Sequence, residues 1–275
     1  DITEYMVSKL GVVDNDIVLE PSAGEGIFID EVLETSKTVQ IDALDINSDA
    51  ISILKKKYED NTAVVVRETD TLLDEQLDIY SMSQLWLKQT DTLFDKQLDM
   101  FSSLGGHYTK VIGNPPYGAW QDYEKRDVLK KKFAGHYVKE TYSLFLLRCI
   151  SVLRMHGRLS FIIPDTYLFL NMHSRLRALI TSNTKIDEIL IFPSRFFPGV
   201  SFGYSNLSII TLERCDKKTA LEHTFRVIQG FNSSSEFATL LGDEKEYPEN
   251  LQIFNFKQSD ILENEQCRVI LAVSK

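Results

Sequence analysis

The chain predicts an α/β fold: a mostly parallel, seven-stranded sheet covered by helices on both faces, with an antiparallel hairpin at its C-terminal side. Three observations carry this expectation. Short apolar runs alternate with amphipathic stretches up to residue 183. The loops behind the early runs are rich in glycine, proline and acids. Finally, 43% of the 275 residues are hydrophobic, which suffices for one large buried core.

Taken in order, Ile17-Val18-Leu19 reads as a first strand and 25–36 as the helix behind it. Val39 to Leu44 followed by 48–58 repeats the pair, and Ala63 to Val66 supplies a third, β-branched strand. Val111-Ile112 is the fourth strand, 141–154 a helix, Leu159 to Ile163 the fifth strand and 174–183 a further helix. Strand and helix in alternation imply parallel strands buried on both faces. Ile189-Leu190-Ile191-Phe192 and Leu207 to Leu212 complete the seven, but no crossover helix separates them. Pro193, Pro198, Gly199 and Gly203 fill that gap, so the last two strands are expected to run antiparallel.

Composition removes several function classes. No apolar run approaches the ~20 residues needed to span a bilayer, and no basic, signal-like segment opens the chain, so a cytoplasmic protein is expected with no membrane partner. Cys149, Cys215 and Cys267 are far apart, and the five histidines lack ligand spacing; neither a disulfide framework nor a metal site is indicated. The net charge of −10 is unevenly spread: residues 101–215 carry 15 basic against 8 acidic side chains. Lys125, Arg126, Lys130, Lys131, Lys132 and Lys139 lie there, and fit either a phosphate-facing surface or a solvated helix face.

One internal repeat interrupts the order. Thr69-Asp70-Thr71-Leu72-Leu73-Asp74-Glu75-Gln76-Leu77-Asp78 recurs 21 residues later from Thr90 to Asp99, a local duplication forming an excursion between the third and fourth strands. Asp70 and Asp91 therefore compete for the same role. Asp70 is favoured because Ala63-Val64-Val65-Val66 precedes it and nothing strand-like precedes Asp91. Beyond residue 215 the apolar pattern weakens, and both ends have the look of a cut from a longer protein. Residues 1–215 are thus expected to form a catalytic domain and 216–275 the start of a C-terminal region.

Asn114-Pro115-Pro116-Tyr117 directly follows Val111-Ile112-Gly113. The prolines hold the backbone extended, so the carbonyls of Asn114 and Pro115 are available to a ligand. An exocyclic amine on a flat ring would give its two hydrogens to the Asn114 side-chain oxygen and the Pro115 carbonyl, and its ring would stack on Tyr117. The same tetrapeptide also fits a Pro-Pro turn after a buried strand. A second element leads out of the first strand: Glu20-Pro21-Ser22-Ala23-Gly24-Glu25-Gly26, whose glycines let backbone pass close beneath a ligand at a helix N-terminus. Asp45, at the end of the next strand, suits a ribose diol or a helix cap, the latter role being open also to Asn47 or Ser48. An acid at Glu20, where a pyrophosphate would be repelled and a cationic sulfonium attracted, and a third acid at Asp70, placed for an adenine amine, favour S-adenosylmethionine over a dinucleotide.

These motifs and their order resemble the amino-group DNA methyltransferases of restriction–modification systems, in particular the TaqI-like adenine-N6 enzymes with gamma-type motif order, over residues 1–215. The resemblance implies a Rossmann-like S-adenosylmethionine-dependent methyltransferase fold. It assigns cofactor contacts to Glu20, Pro21, Ala23, Gly24 and Gly26, to Asp45 and Ile46 at the ribose, to Asp70, Thr71 and Leu72 at the adenine, and to Asn114 and Pro116. It makes Asn114, Pro115, Pro116 and Tyr117 catalytic. Tyr142 to Phe145 and Gly157 to Pro164 resemble the family's fifth strand and preceding helix. Phe196-Phe197-Pro198 resembles the segment bringing a second aromatic to the base, with Phe197 as the partner of Tyr117 and Phe196 as the alternative register. Two features depart from the pattern. Asp70 and Asn114 are 44 residues apart, long for the family and largely explained by the duplication, and the Thr-Pro before the N-terminal helix is absent, leaving Thr3 to Met6 as that helix's remnant.

The expected activity is transfer of a methyl group to the N6 amine of an adenine flipped from double-stranded DNA, with Lys125, Arg126, Lys130, Lys131 and Lys132 on the phosphates. A restriction endonuclease, fused or separate, is the implied partner, and a recognition domain would follow residue 215. Two other readings stand beside this one: an N-methyltransferase acting on a glutamine amide or an RNA base, and a silent cofactor-binding or DNA-binding subunit.

Overall fold

The computed structural model describes residues 2–81, 106–118, 123–196, 206–241 and 247–271. The second copy of the repeat, with Asp91, and the aromatic Phe197 lie outside the described residues.

Helix α1 (Ile2–Leu10) precedes β1 (Ile17–Glu20), α2 (Ile27–Thr35), β2 (Gln40–Asp45), α3 (Ser48–Lys57), β3 (Val64–Glu68) and the short α4 (Glu75–Tyr80). Then follow β4 (Tyr108–Gly113), α5 (Tyr123–Lys132), α6 (Thr141–Val152), β5 (Leu153–Pro164), α7 (Ser174–Asn183), β6 (Thr184–Pro193) and β7 (Asn206–Arg214). The described chain closes with α8 (Lys217–Glu222), β8 (Thr224–Gln229), β9 (Gln252–Lys257) and α9 (Gln258–Glu263).

All strands among the described residues join one sheet in the order β3-β2-β1-β4-β5-β7-β6-β8-β9. The pairs from β3 across to β5 are parallel, and β7 runs antiparallel between β5 and β6. The antiparallel pair expected from the proline- and glycine-rich connection is therefore present, with its second strand inserted toward the sheet centre. The seven-stranded expectation is corrected to nine strands among the described residues. The two additional strands were missed because both alternate apolar with polar or charged residues, as in Gln252-Ile253-Phe254-Asn255-Phe256-Lys257, so they lack the continuous apolar run that marks a central strand.

Alternation along the central strands divides the core in two. Leu19, Val111 and Ile163 point into one layer with α6 and α7; Val18, Ile112 and Ile162 point into the other with α1, α2 and α3. Consecutive residues of one apolar run thus serve opposite faces, which is why these strands contain so few polar residues.

This topology fixes where a ligand fits. From β1 the chain steps outward through β2 to β3, then returns to the other side of β1 to make β4. The loops behind β1 and β4 therefore diverge from adjacent parallel strands at a topological switch point, the usual ligand crevice of open α/β sheets. Glu20 ends β1 and Gly113 ends β4, so the glycine loop and Asn-Pro-Pro-Tyr start from neighbouring strand ends.

Candidate functional site

At that switch point lies a cavity of about 450 Å³. Pro21 and Ser22 line it from the β1 loop, Asp45 and Ile46 from the β2 loop, and Thr69, Asp70, Thr71 and Leu72 from the turn after β3. Asn114, Pro116 and Tyr117 line it behind β4, with Lys125 of α5 and Thr141 and Phe145 of α6 completing it. Residues as far apart in sequence as Pro21 and Phe145 thus share one crevice because four parallel strands end at one edge.

The loops are tied to one another directly. The Ser22 hydroxyl donates to the Asn114 carbonyl at 3.1 Å, and the Thr71 hydroxyl to the Pro21 carbonyl at 2.5 Å. The backbone N–H of Ala23 donates to the Leu44 carbonyl at 2.8 Å. Both Thr141 N–H and Thr141 Oγ1 donate to the Gly118 carbonyl, at 3.1 and 2.7 Å, fastening the start of α6 to the segment behind Asn-Pro-Pro-Tyr.

Asp45 holds the glycine loop as well as lining the cavity. Its Oδ2 accepts the Gly24 N–H and its Oδ1 the Asn47 N–H, each at 2.8 Å. The cap of α3 is Asn47, whose side chain accepts from Asp49 and Asp45 is left free of that role. A carboxylate offers about four lone-pair sites, so both oxygens retain capacity for hydroxyl donors in the cavity. Ile46 beside it is 64% exposed, an apolar surface available to a ligand.

Glu20 lies at the end of β1, 2% exposed, and among the described residues its Oε2 has no hydrogen-bond partner. Burial, followed by the nearby Asp45 and Asp30, pushes its carboxyl well above the ordinary range. A buried, unpaired acid of this kind suits a cationic group more than a second anion. Gly26, the first residue before α2, has φ 78°, and a Cβ there would lie 2.8 Å from both Leu54 Cδ2 and the Tyr58 hydroxyl, so the turn into α2 accepts only glycine without displacement.

Asn114 is half-buried, Pro115 buried and Pro116 exposed. The Tyr117 hydroxyl donates to Asn114 Oδ1 at 2.5 Å and also lies 3.2 Å from the Ile162 carbonyl. Burial raises the Tyr117 phenol well above its ordinary value, so it stays protonated. On the opposite side Asp70 forms an ion pair with Lys125, while its Oδ1 accepts the Leu72 N–H at 3.0 Å. Asp70 thus lines the cavity, and Asp91 lies outside the described residues.

The other residues singled out by sequence sort differently. Glu20, Ala23, Gly24 and Gly26 shape the loop, and Pro115 is buried within the tetrapeptide, but none of these lines the cavity. Lys125, Leu129 and Lys132 share one face of α5; Leu129 is buried, and Lys132 pairs with Asp78 at 2.8 Å. Lys130 and Lys131 lie on the exposed side, Lys130 with Asp127 at 3.4 Å, and Arg126 is half-buried. Phe196 stacks on Phe192 with ring centroids 6.2 Å apart and does not line the cavity, while Phe197 lies outside the described residues. Ser22, Thr69, Thr141 and Phe145 are lining residues to which the sequence analysis assigned no site role. Thr141 and Phe145 carry a usable signal, an i, i+4 pair at the start of a helix behind the tetrapeptide; Ser22 and Thr69 carry none beyond their neighbours.

A nine-stranded Rossmann-like sheet with this crevice at its switch point defines the α/β methylase class of fold. Residues 33–197 match the Eco57I restriction-modification methylase family, and the chain belongs to that family. It is 24% identical over 238 residues to the type II methyltransferase M.HincII of Haemophilus influenzae, a match covering 80% of this chain and 39% of that protein. To M.AccI of Acinetobacter calcoaceticus it is 22% identical over 262 residues, covering 92% of this chain and 42% of the relative. The chain therefore spans about two fifths of the length of these relatives. Among solved structures, the type IIG restriction endonuclease BpuSI superposes with a TM-score of 0.64 at 14% identity, over 97% of this chain and 31% of that one.

Proposed function

We propose that this chain carries the catalytic centre of an S-adenosylmethionine-dependent DNA methyltransferase that modifies the N6 amine of a flipped adenine, as part of a restriction–modification system. The observation that carries the reading is that Asn114 shares one cavity of about 450 Å³ with Asp45 and Asp70. Family membership supports DNA as the substrate class, and the relatives are type II methyltransferases by name.

The residues fit the cofactor. Glu20, with its unpartnered buried oxygen, suits the cationic methionine end; Asp45 suits the ribose diol; Ile46, Asp70 and Leu72 suit the adenine. When bound, S-adenosylmethionine supplies an electrophilic methyl group. Asn114 Oδ1 and the Pro115 carbonyl accept the two hydrogens of the target amine, which turns the nitrogen lone pair out of conjugation. Orientation within the crevice then favours direct displacement, and no nucleophilic side chain is required. Tyr117 supplies the ring against which the flipped base stacks, and Phe197 is the proposed second aromatic. The exposed Lys130 and Lys131, with Arg126, are the proposed phosphate contacts from α5; Lys125 and Lys132 are bound to Asp70 and Asp78, and Lys130 carries only an exposed pair with Asp127.

The test is incubation with duplex DNA and labelled S-adenosylmethionine, followed by nucleoside analysis, with RNA and protein as parallel acceptors. Label in N6-methyladenine, abolished by Asn114→Ala, is the expected result. Label in RNA, protein or another base overturns the substrate assignment, and full activity of Asn114→Ala overturns the role of Asn114.

A further inference from the structure

Arg148 is 0% exposed, yet it belongs to none of the motifs above. It sits on α6 in register with two cavity-lining residues: Thr141, Phe145 and Arg148 fall at i, i+4 and i+7 and form one stripe along the helix. The first two reach the crevice. Arg148, further along, reaches the turn that carries Asp70, Thr71 and Leu72.

Its contacts are with backbone. Nε donates to the Thr71 carbonyl at 3.3 Å and Nη2 to the Asp74 carbonyl at 2.7 Å. Nη1 lies 2.7 Å from Asp78 Oδ1, an ion pair by distance but not an aligned hydrogen bond. Asp78 also binds Lys132 at 2.8 Å. One guanidinium and one carboxylate therefore join the 70–78 segment, α5 and α6, all of which supply cavity residues.

The rest of the turn is bonded within itself, to the β1 loop, to Arg67 of β3 and, through the Asp70 carboxylate, to Lys125 of α5. Asp70 accepts the N–H groups of Leu72 and Leu73, the Asp74 side chain accepts from Arg67, Thr69 and Leu77, and the Thr71 hydroxyl reaches Pro21. Two carbonyls on its inner side are taken up by Arg148. Burying a guanidinium is costly, and an apolar residue of similar volume fills such a space at less cost. What an apolar residue cannot do is hold two carbonyls at a fixed distance from α6.

From this we infer that Arg148 is a positioning residue for the adenine end of the cofactor, acting through the Thr71 and Asp74 carbonyls to set the spacing between the 70–72 turn and Phe145. The inference rests on the function proposed above, with Asp70 to Leu72 at the cofactor adenine. Arg148 governs how tightly the cofactor is held and leaves the transfer step at Asn114 untouched.

Arg148→Met, Arg148→Lys and the wild type separate the possibilities, through KM for S-adenosylmethionine, kcat on duplex DNA, calorimetric Kd for S-adenosylhomocysteine, and Tm. Arg148→Met is expected to raise KM and Kd at least tenfold with kcat within twofold. Arg148→Lys, which keeps the charge near Asp78 but cannot span both carbonyls, is expected to fall between. Wild-type KM and Kd in a folded Arg148→Met protein overturn the inference, as does a parallel loss of kcat and affinity that tracks Tm. If Arg148→Met does not fold, wild-type KM and Kd in Arg148→Lys overturn it instead. A wild type that binds no S-adenosylhomocysteine refutes the functional reading itself, and the inference with it.

Discussion

The hydroxyl of Tyr117 rests on the side-chain oxygen of Asn114 at 2.5 Å, so the candidate base-stacking ring is tethered to the candidate amine acceptor. A phenol has one proton, and the Ile162 carbonyl at 3.2 Å competes for it. The tether therefore orients Asn114 while leaving an easy exchange when a target amine arrives.

Separating ring from hydroxyl tests this arrangement. Tyr117→Phe keeps the ring and removes one neutral hydrogen bond of about 0.5–1.5 kcal/mol, so kcat should fall by at most about tenfold. Tyr117→Ala also removes the stacking surface, worth about 1–3 kcal/mol per base, and should cost roughly 5- to 150-fold in kcat/KM for DNA. Equal losses in the two variants, measured by steady-state methylation, would exclude a stacking role for the ring.

Glu20 gives cofactor binding a pH dependence. Burial first, then Asp45 and Asp30, raise its carboxyl value, with a smaller opposing pull from Lys57. A cationic ligand beside it lowers that value again, so binding releases a proton. Affinity should then rise with pH between the bound-state and free-state values and be flat on either side. Calorimetry with S-adenosylmethionine, without DNA, in buffers of different ionisation enthalpy should detect proton release in the wild type and none in Glu20→Gln. Unchanged release in that variant would move the titrating group elsewhere.

The lysine run should divide by function. Lys131 is exposed, whereas Lys132 is bound to Asp78. Lys131→Ala should flatten the slope of log affinity for duplex DNA against log salt by about 0.9, the value of one phosphate contact. Lys132→Ala should leave that slope unchanged and lower stability by about 1 kcal/mol, the upper end for a partly exposed ion pair. Fluorescence anisotropy across a salt series, with thermal unfolding alongside, distinguishes the two; matching slopes would refute the division.

Glu188 on β6 is an acid-sensitive point of the core. Its side chain is 4% exposed, pairs with Lys9 at 2.8 Å and Arg226 at 2.7 Å, and accepts from the Tyr5 hydroxyl. Burial by itself would raise its carboxyl value, but Lys9, Tyr5 and Arg226 together bring it below the ordinary range. A lowered folded-state value means that its stabilisation is complete above the ordinary glutamate value and disappears as pH falls through the folded-state one. Glu188→Gln should cost about 3–5 kcal/mol at neutral pH by breaking a buried network, and less at acid pH. Urea unfolding at both conditions checks this, and a pH-independent cost would count against the ionic account.

Much of this organisation was legible locally. Apolar runs such as Ile17-Val18-Leu19 and Val39 to Leu44 name strands because period and length are properties of a few adjacent residues. Asn114 to Tyr117 and the loop from Glu20 to Gly26 announce themselves because proline, glycine and carboxyl groups impose chemistry wherever they stand. The strands β8 and β9 were not legible, since a short strand that mixes apolar with polar residues differs little from a polar loop until a partner strand is beside it.

By itself, then, the sequence determined the strand–helix alternation, the acids and glycines at strand ends, and the amide-proline-aromatic grip. Only the tertiary structure decided that β7 enters between β5 and β6, that Lys125 and Lys132 are committed to Asp70 and Asp78 while Lys130 and Lys131 face outward, and that the buried Arg148 holds the turn at Thr71 and Asp74. The physical reason is the same in each case. Propensity and periodicity act over a turn or a strand, whereas the partner of a charge or a sheet edge is chosen by which distant segments the packed sheet brings within hydrogen-bonding distance.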